Sequence, residues 1–338
     1  MWYKNPEIDK SPVISSRVRL ARNIYGYPFF ALLKPSEAKK MINDVVNSLS
    51  EQNFEFTNIK DKSDVEKLAM LEHHKISIEL LRSVAPSGVL SNRDETLHIM
   101  LNEEDHIRIQ SIAPGKDIKK AWQLANDVDN VIEEQLEYAF DEKFGYLTSC
   151  PSNTGTGMRA SFMLHLPMLE YTGKLTRIIN SLRTYGMTIR GVYGENSGSI
   201  GNIYQISNQV TLGKSEEEIF DALESITAQV VENELLALND HIKKHPIYFE
   251  DKVYRALGIL TQCRQIEIKE ARTLLSTLRL GLVSGVLKPK IEGDSIYNTI
   301  VNIEVGNLQL NTKTNLNSDD DANVARAQYI RQTLVEKY

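Results

Sequence analysis

Arginine residues recur beside short polar or glycine-containing segments, and they are the first residues here whose type and spacing could do chemistry. Arg17 and Arg19 lie two residues apart, so on a strand both side chains point to one face. Arg108, Arg159 and Arg190 recur in similar settings. A guanidinium is always charged, and its planar fork matches phosphate oxygens two at a time. A single arginine is typical of a solvated surface, so a phosphate site follows only in combination with other residues.

Two acidic segments could supply the other half of such a site. Residues Asn102 to His106 place three acids at a strand end, and Glu195 follows Arg190 across two glycines. Taken alone, the two segments are also typical of an acidic turn and a hairpin.

Other nucleotide-binding motifs are incomplete. Gly213-Lys214-Ser215 resembles the end of a P-loop, but Asn208 stands where the pattern requires glycine. Three glutamates follow, which would repel a triphosphate, and Ser215 with Glu218 instead predicts a capping box at a helix start. The chain has neither the His-Arg-Asp catalytic loop nor the Asp-Phe-Gly motif of protein kinases.

The elements that must position these residues alternate between helices and strands. Hydrophobic periodicity predicts the strands Thr96–Glu104, Tyr146–Cys150, Thr188–Tyr193 and Ile203–Val210, and the helices Pro35–Gln52, Asp117–Asp141, Arg159–Leu166 and Ser215–Lys244. A glycine-rich loop, Gly194 to Gly201, separates the last two strands, and we expect it to close over substrate. Beyond Pro246 the pattern predicts helices over Phe249–Gly285, a loop-rich stretch over Val286–Asp321, and a final helix over Asn323–Tyr338.

This order predicts a chain with two domains, in which residues 1–245 mix strands and helices and residues 246–338 are mostly helical. The boundary is placed at His245-Pro246, where the helical pattern breaks.

Composition bounds the class of protein. The 338 residues are 41% hydrophobic and 25% charged, which is typical of a globular protein. The formal net charge of -6 disfavours nucleic acid as the main partner. Cys150 and Cys263 lie far apart without metal-ligand spacing, so we expect free thiols in a reduced, cytoplasmic protein. No apolar run is long enough to cross a bilayer, and the first ten residues lack the apolar core of a secretion signal.

Four motifs together resemble the phosphagen (guanidino) kinase family, because they occur in the order found there. They are Ser-Ser-Arg-Val-Arg from Ser15, Asn-Glu-Glu-Asp-His-Ile-Arg from Asn102, Cys-Pro-Ser-Asn-x-Gly-Thr from Cys150, and Arg-Gly-x-x-Gly-Glu from Arg190. The flanking segments Ser16–Asn23, Gly145–Pro151 and Gln205–Glu216 are similar to the bacterial protein-arginine kinase branch. The resemblance covers nearly the whole chain and is thinnest over Val286–Asp321.

The resemblance implies an α+β fold, in which residues 1–245 form a catalytic domain with a mainly antiparallel sheet flanked by helices and residues 246–338 form a mostly helical C-terminal domain suited to dimerisation, regulation or substrate docking.

The resemblance also implies a role for each matching residue. Glu104 would be the catalytic base, Glu195 the second carboxylate on the guanidinium, and Cys150 the family's reactive cysteine beside it. A guanidinium is a poor nucleophile because it is protonated, so the base must take its proton at short range. The two carboxylates could hold the planar group and align one nitrogen with the γ-phosphorus of ATP. Mg²⁺ would stay mainly on ATP and water, with no dedicated protein ligands. The implied ATP site consists of Ser15, Ser16, Arg17, Val18, Arg19, His74, Arg108, Arg159, Ala160, Ser161, Phe162, Met163, Arg190, Gly191, Val192, Tyr193, Gly194 and Glu195.

The acceptor is expected to be an arginine side chain of a protein. Kinases of small guanidines carry a helical domain before the first arginine motif, which helps to enclose the substrate, and here that motif begins at Ser15. The site should therefore be open enough for a polypeptide. Two alternatives remain: a kinase of free arginine or a related small guanidine, and a non-catalytic regulator that binds a repressor or a Clp-type protease.

A C-terminal segment departs from the protein-arginine kinase pattern. That branch carries Arg-Asp-x-x-Arg-Ala before its last helix, a motif that reads phosphoarginine as an allosteric signal. Arg326 and Ala327 match, but Ala322 and Asn323 replace the leading pair, so we expect a weak or absent allosteric response. The resemblance also implies partners: an McsA-like activator, a CtsR-like repressor, a Clp protease and a second copy of the chain in a homodimer.

Overall fold

A computed structural model describes residues 1–192, 199–313, 316 and 318–338. The strands are β1 Val13–Arg22, β2 Phe54–Asn58, β3 Gly88–Asn92, β4 Leu97–Leu101, β5 Ile107–Pro114, β6 Phe140–Asp141, β7 Gly145–Tyr146, β8 Met158–His165, β9 Met187–Gly191 and β10 Ile203–Asn208. The helices are α1 Pro35–Ser48, α2 Asp64–Glu72, α3 Ile78–Arg82, α4 Ile118–Glu133, α5 Pro167–Tyr171, α6 Leu175–Thr184, α7 Glu216–Lys244, α8 Pro246–Gln262, α9 Ile268–Val283, α10 Ile296–Asn302, α11 Val305–Thr312 and α12 Asp319–Leu334.

One large sheet organises the first part of the chain. Over the described residues its eight strands have the order β2-β3-β4-β5-β1-β8-β10-β9, with every neighbouring pair antiparallel. The pair β6 and β7 lies apart from it. This architecture confirms the predicted α+β class with a mainly antiparallel sheet.

The two faces of the sheet have different contents. On one face, alternate residues such as Val18, Leu20 and Phe162 are fully buried in the main hydrophobic core with Ala121 and Ala125 of α4. Because successive side chains of a strand point to opposite faces, the intervening residues of β1 and β8 lie on the other face. That second face carries the arginines.

A second hydrophobic core joins the C-terminal helices to the N-terminus. Leu275 and Leu278 of α9 and Ile330 of α12 pack in one cluster with Trp2 and Ile8. The break predicted at His245-Pro246 separates α7 from α8 in the structure. The assignment of residues 1–245 and 246–338 to two domains stays a prediction.

Several element predictions are wrong or too long. Residues Arg159–Leu166 were predicted to be helical, but Met158–His165 is strand β8, paired on both sides with β1 and β10. The predicted strand Tyr146–Cys150 contributes only Tyr146 to β7 before the chain turns at Pro151. The predicted helix Asp117–Asp141 begins with Asp117 as its cap and ends at Glu133.

The stretch Val286–Asp321 contains two helices, α10 and α11, instead of the predicted loops. The buried residues of α10 include Ile296, Tyr297, Ile300 and Val301. Because the helix has no exposed polar face, the sequence shows no helical periodicity there. The capping box of Ser215 and Glu218 is confirmed at the start of α7. No helix of the described residues has the length and apolar content to span a membrane.

Candidate active site

The predicted phosphate-binding arginines meet on one face of the large sheet, which we call the arginine face. Arg19 on β1 lies directly opposite Arg159 on β8, and opposed residues of antiparallel strands share a face. Arg17 lies two residues before Arg19, and the register of β5, β10 and β9 gives Arg108 and Arg190 the same orientation. Four strands from different parts of the chain thus bring five cations together.

The charges of the arginine face are poorly compensated by the protein itself. Burial, together with the neighbouring charges of Arg108 and Arg159, lowers the pKa of Arg17 to about 10. Arg19 has its pKa lowered by burial and by the same neighbours, and its buried Nε has no hydrogen-bond partner among the described residues. Arg17, Arg19 and Arg159 form no ion pair with a carboxylate within the described ranges. Such a cluster fits a polyanion, because a multiply charged anion would relieve both the desolvation and the repulsion.

Glu103, which sequence reasoning passed over, is the exception on this face. Its two carboxylate oxygens accept from Nη1 of Arg108 at 2.8 and 2.6 Å. Burial alone would raise the pKa of Glu103, but the Arg108 charge and hydrogen bonds bring it below its ordinary value. Glu103 therefore fixes Arg108 and is not available as a base. The sequence feature that could have predicted this ion pair is an acidic residue five positions before an arginine, across a tight turn.

Glu104 stands at the tip of the β4–β5 turn, and its neighbours in the turn hold it in place. Asn102, with φ 58°, donates from Nδ2 to the Pro86 carbonyl at 2.6 Å. His106 accepts from the Ile24 amide on Nδ1 at 3.0 Å. Asn102 and His106 are buried while Glu104 is half-buried. The two ends of the turn are therefore fixed, and they hold the Glu104 carboxylate at the tip.

The environment of Glu104 suits a general base. Burial raises its pKa, the Arg108 charge opposes this, and the negative charges of Asp105, Glu103 and Glu79 raise it further. A raised pKa makes a carboxylate a stronger proton acceptor as long as the working pH stays above it.

Asp105 links this turn to the segment that carries Cys150. Its Oδ1 accepts from the Ser149 amide and from Nδ2 of Asn23, both at 2.7 Å. Cys150 is half-buried and free, with Sγ 3.1 Å from the Ser152 hydroxyl, and it lies near enough to Arg159 for an electrostatic interaction. The structure thus brings the predicted base, the predicted reactive cysteine and the arginine face to one place.

His74 lies at the edge of the arginine face, next to the C-terminal helices. Its Nε2 is 3.0 Å from the Tyr297 hydroxyl, and the two rings stack with an interplanar angle of 7°. Burial, together with the nearby Arg17 charge, lowers the pKa of His74 to about 3. The ring is therefore neutral at physiological pH and could present an uncharged surface to a base or ribose.

The remaining residues predicted for the ATP site lie on both faces of the sheet, because successive side chains of a strand alternate between the faces. Ser15, Ser161 and Met163 have the register of the arginine face. The side chains of Val18, Ala160 and Phe162 point into the main core. Ser16 accepts from the Asp117 amide at 2.7 Å and so fixes the start of α4.

The segment after β9 is described only in part. Gly191 ends the strand, and Val192 donates its amide to the Ile203 carbonyl at 2.9 Å. Tyr193, Gly194 and Glu195 lie outside the described residues, as does most of the predicted closing loop.

The C-terminal motif residues are used structurally. Arg326 is buried and donates to the carbonyls of Ile303 at 3.2 Å and Ile266 at 2.9 Å, and to Asn323 at 2.7 Å. Ala322 and Ala327 are buried as well. Arg326 is thereby occupied by backbone acceptors, and the weak or absent response to phosphoarginine stays a prediction.

Two family models cover most of the sequence. The model of the ATP:guanido phosphotransferase C-terminal catalytic domain matches residues 37–237. The model of the protein-arginine kinase McsB C-terminal domain matches residues 246–337.

Curated relatives and solved structures agree with these matches. A protein-arginine kinase of Clostridium kluyveri is 43% identical over 95% of this chain and 94% of its own length, and one of Caldanaerobacter subterraneus is 41% identical over 98% and 99%. The structure of a lombricine kinase is 25% identical, with a TM-score of 0.60 over 70% of this chain and 68% of that one. The duplicated taurocyamine kinase of Schistosoma mansoni has the same fold, at 23% identity and a TM-score of 0.61 over 74% of this chain and 38% of that one.

Proposed function

Since the chain belongs to the ATP:guanido phosphotransferase family, in its protein-arginine kinase branch, we propose that it transfers the γ-phosphoryl group of ATP to arginine side chains of proteins. The observation that carries the proposal is the arginine face, where Arg17, Arg19 and Arg159 have no carboxylate partner among the described residues, beside the half-buried carboxylate of Glu104. The first would hold a triphosphate and the second would hold a guanidinium.

The arginine face would position the nucleotide and stabilise the transferring group. Arg17 donates from Nη2 to Oε1 of Gln205 at 2.7 Å, so its fork is oriented before any ligand arrives. Donors fixed in advance stabilise developing charge more effectively than donors that must reorganise. Mg²⁺ bound to ATP would neutralise phosphate charge and polarise the γ-phosphoryl group. We propose that the ion arrives with the nucleotide, because Mg²⁺ keeps phosphate oxygens and water as its main ligands.

Glu104 would bind the acceptor guanidinium and take its proton as the nitrogen attacks. Its raised pKa and its fixed turn favour this role over Glu103, which is committed to Arg108. We keep Glu195 as the proposed second carboxylate. Cys150 would lie beside the guanidinium, since Asp105 ties its segment to the same turn.

Replacing Glu104 tests the mechanism. We expect Glu104→Gln to lower phosphotransfer roughly 100- to 10,000-fold while ATP still raises the melting temperature, because the arginine face is intact. Glu51→Gln, an exposed change of the same charge, is the matched control. Arginine phosphorylation of an unfolded arginine-rich protein is measured by mass spectrometry without acid, because the phosphorus–nitrogen bond is acid-labile. Full activity of Glu104→Gln would contradict the assignment.

The nature of the acceptor is tested in the same assay. We expect the protein substrate to be phosphorylated with a much higher kcat/KM than free arginine. The reverse preference would favour a kinase of small guanidines, and labelling of neither acceptor would favour a non-catalytic regulator.

Partners and location are proposed from the resemblance and the family. We propose that the protein acts in the cytoplasm, which its two free cysteines support. An McsA-like activator, a CtsR-like repressor, a Clp protease and a second copy of the chain are the proposed partners. Co-purification of each with the wild-type protein would test them.

A further inference from the structure

Three aromatic rings from distant segments meet at the edge of the arginine face. Trp2 lies near the N-terminus, His74 follows α2, and Tyr297 is in the first turn of α10. The ring centre of Trp2 lies 5.9 Å from that of His74 and 5.6 Å from that of Tyr297. Trp2 and Tyr297 are buried in the second hydrophobic core, whereas His74 is half-buried. Of the three rings, His74 is therefore the one that a ligand on the arginine face can reach.

The backbone of His74 is held against the arginine face. Gln110 of β5 lies opposite Arg19 and so shares that face, and its Nε2 donates to the His74 carbonyl at 2.5 Å. His74 has φ 61°, a left-handed conformation that carries a steric cost for any residue except glycine. Such a conformation persists only where the surrounding contacts hold it.

Tyr297 supplies the contact that orients the His74 ring. Its hydroxyl lies 3.0 Å from Nε2 of His74, and the two rings stack with an interplanar angle of 7°. Because the imidazole is neutral at physiological pH, Nε2 can accept from the phenol and leave the ring proton on Nδ1. Nδ1 has no hydrogen-bond partner among the described residues, so it can donate to a ribose oxygen or a base nitrogen.

Tyr297 is itself fixed by contacts at both ends of its segment. The Ile296 amide donates to Oδ2 of Asp9 at 2.6 Å, which anchors the start of α10. From α2, the Glu72 carboxylate accepts from the amides that begin α11. The segment before His74 and the segment after Tyr297 are thus tied together, so the two rings keep one geometry.

From this geometry we propose that Tyr297 is a positioning residue for the nucleotide, because it holds the His74 ring with Nδ1 presented to the ribose or base of ATP. The inference rests on the proposed protein-arginine kinase function. It adds to the ATP site a residue of the C-terminal helices that acts on the nucleotide through His74. A neutral hydrogen bond to the ribose or base does not touch the reacting phosphate, so its loss should change affinity and not turnover.

Two polyanions distinguish positioning from a general defect. Mg·ATP carries a ribose and a base, tripolyphosphate carries neither, and calorimetry on the intact protein measures both dissociation constants. We expect Tyr297→Phe to weaken Mg·ATP binding by about three- to tenfold, the effect of one lost hydrogen bond, and to leave tripolyphosphate binding unchanged. KM for ATP should rise by the same factor, while kcat stays within about twofold. Tyr329→Phe, at a partly buried tyrosine packed against the same core, is the matched control and should change neither constant.

A double-mutant cycle shows whether Tyr297 acts through His74. His74→Ala should weaken Mg·ATP binding at least as much as Tyr297→Phe, and combining the two should cause no further loss. A further loss in the double variant, weaker tripolyphosphate binding in either single variant, or unchanged ATP affinity in Tyr297→Phe overturns the inference.

The same measurements keep the inference apart from the proposed function. If the wild-type protein binds Mg·ATP but phosphorylates no acceptor, the proposed function fails and the dissociation constants still decide the inference. If phosphorylation proceeds and Tyr297→Phe binds Mg·ATP as tightly as the wild-type protein, only the inference fails.

Discussion

Two parts of strand β1 place their arginines in opposite environments. Arg22 is 2% exposed and donates from Nε and Nη2 to Asp129 at 3.0 and 2.7 Å, and from Nη1 to two carbonyl oxygens. Its guanidinium also lies 3.6 Å from the centre of the Tyr146 ring. Arg17 and Arg19, a few residues earlier, face other cations.

The difference separates a structural cation from a ligand-binding one. A buried charge is tolerated when its partners replace the lost water, as for Arg22. Unlike Arg108, the side chains of Arg17, Arg19 and Arg159 have no carboxylate partner in the part of the chain that the structure describes, so a bound polyanion would compensate their charges. Residue type is identical in the two regions, and compensation alone distinguishes their roles.

The largest expected effect comes from breaking the compensated pair. Arg22→Met should lower the free energy of unfolding by about 3–5 kcal/mol, because Asp129 is left buried without a cation. Urea denaturation measures the loss. Arg255→Met, at an arginine whose side chain is 76% exposed, should change the free energy by less than about 0.5 kcal/mol. Adding Asp129→Leu to Arg22→Met should restore much of the stability, and a failure to do so would weaken the comparison.

An uncompensated arginine should give the opposite result. Arg19→Met should leave the free energy of unfolding unchanged or raised, because a buried and repelled charge is removed. Phosphotransfer should fall by about 100-fold or more, since a donor to the transferring phosphate is lost. Activity assays and thermal unfolding with and without ATP measure both, and ATP should stabilise the variant much less. A large loss of stability without ATP would show that Arg19 is structural.

The comparison of compensated and uncompensated buried charges also applies to carboxylates, where the expected effect on the free energy of unfolding is smaller. Glu72 of α2 accepts from the amides of Gly306 and Asn307 at 2.9 and 2.7 Å, and burial raises its pKa to about 7. A pKa raised in the folded state means that its contribution is present at low pH and is lost as the pH rises through about 7. Between pH 5 and 8 the contribution of Glu72 to the unfolding free energy should therefore decrease, so the unfolding free energy of Glu72→Gln relative to the wild-type protein should rise by about 1 kcal/mol.

The pH dependence needs a matched comparison, because Glu234 of α7 has its pKa raised to about 7 in the same way. Urea denaturation at the two pH values is run on Glu72→Gln, Glu51→Gln and the wild-type protein. Glu51→Gln should show the pH dependence of the wild-type protein. The same pH dependence in all three proteins would show that Glu72 does not titrate in this range.

Local patterns were sufficient for many features of this protein. The spacing of Arg17 and Arg19 placed both on one face, because strand alternation is a property of the backbone. The Ser215 capping box marked the start of α7, because its hydrogen bonds join residues three apart. The order of the four motifs gave the family, which the comparisons confirm.

Only the tertiary structure decided how elements and charges are used. Met158–His165 is a strand because β1 and β10 pair with both of its edges, whereas its apolar run alone also fits a helix. Adjacent acids in one turn received different roles because Arg108 reaches Glu103 and leaves Glu104 half-buried at the tip. Likewise, Arg22 and Arg19 differ through Asp129, which lies over a hundred residues away in sequence. The sequence by itself determined which charged groups exist and their order, but partners from distant segments decided which charges are compensated and which remain for a ligand.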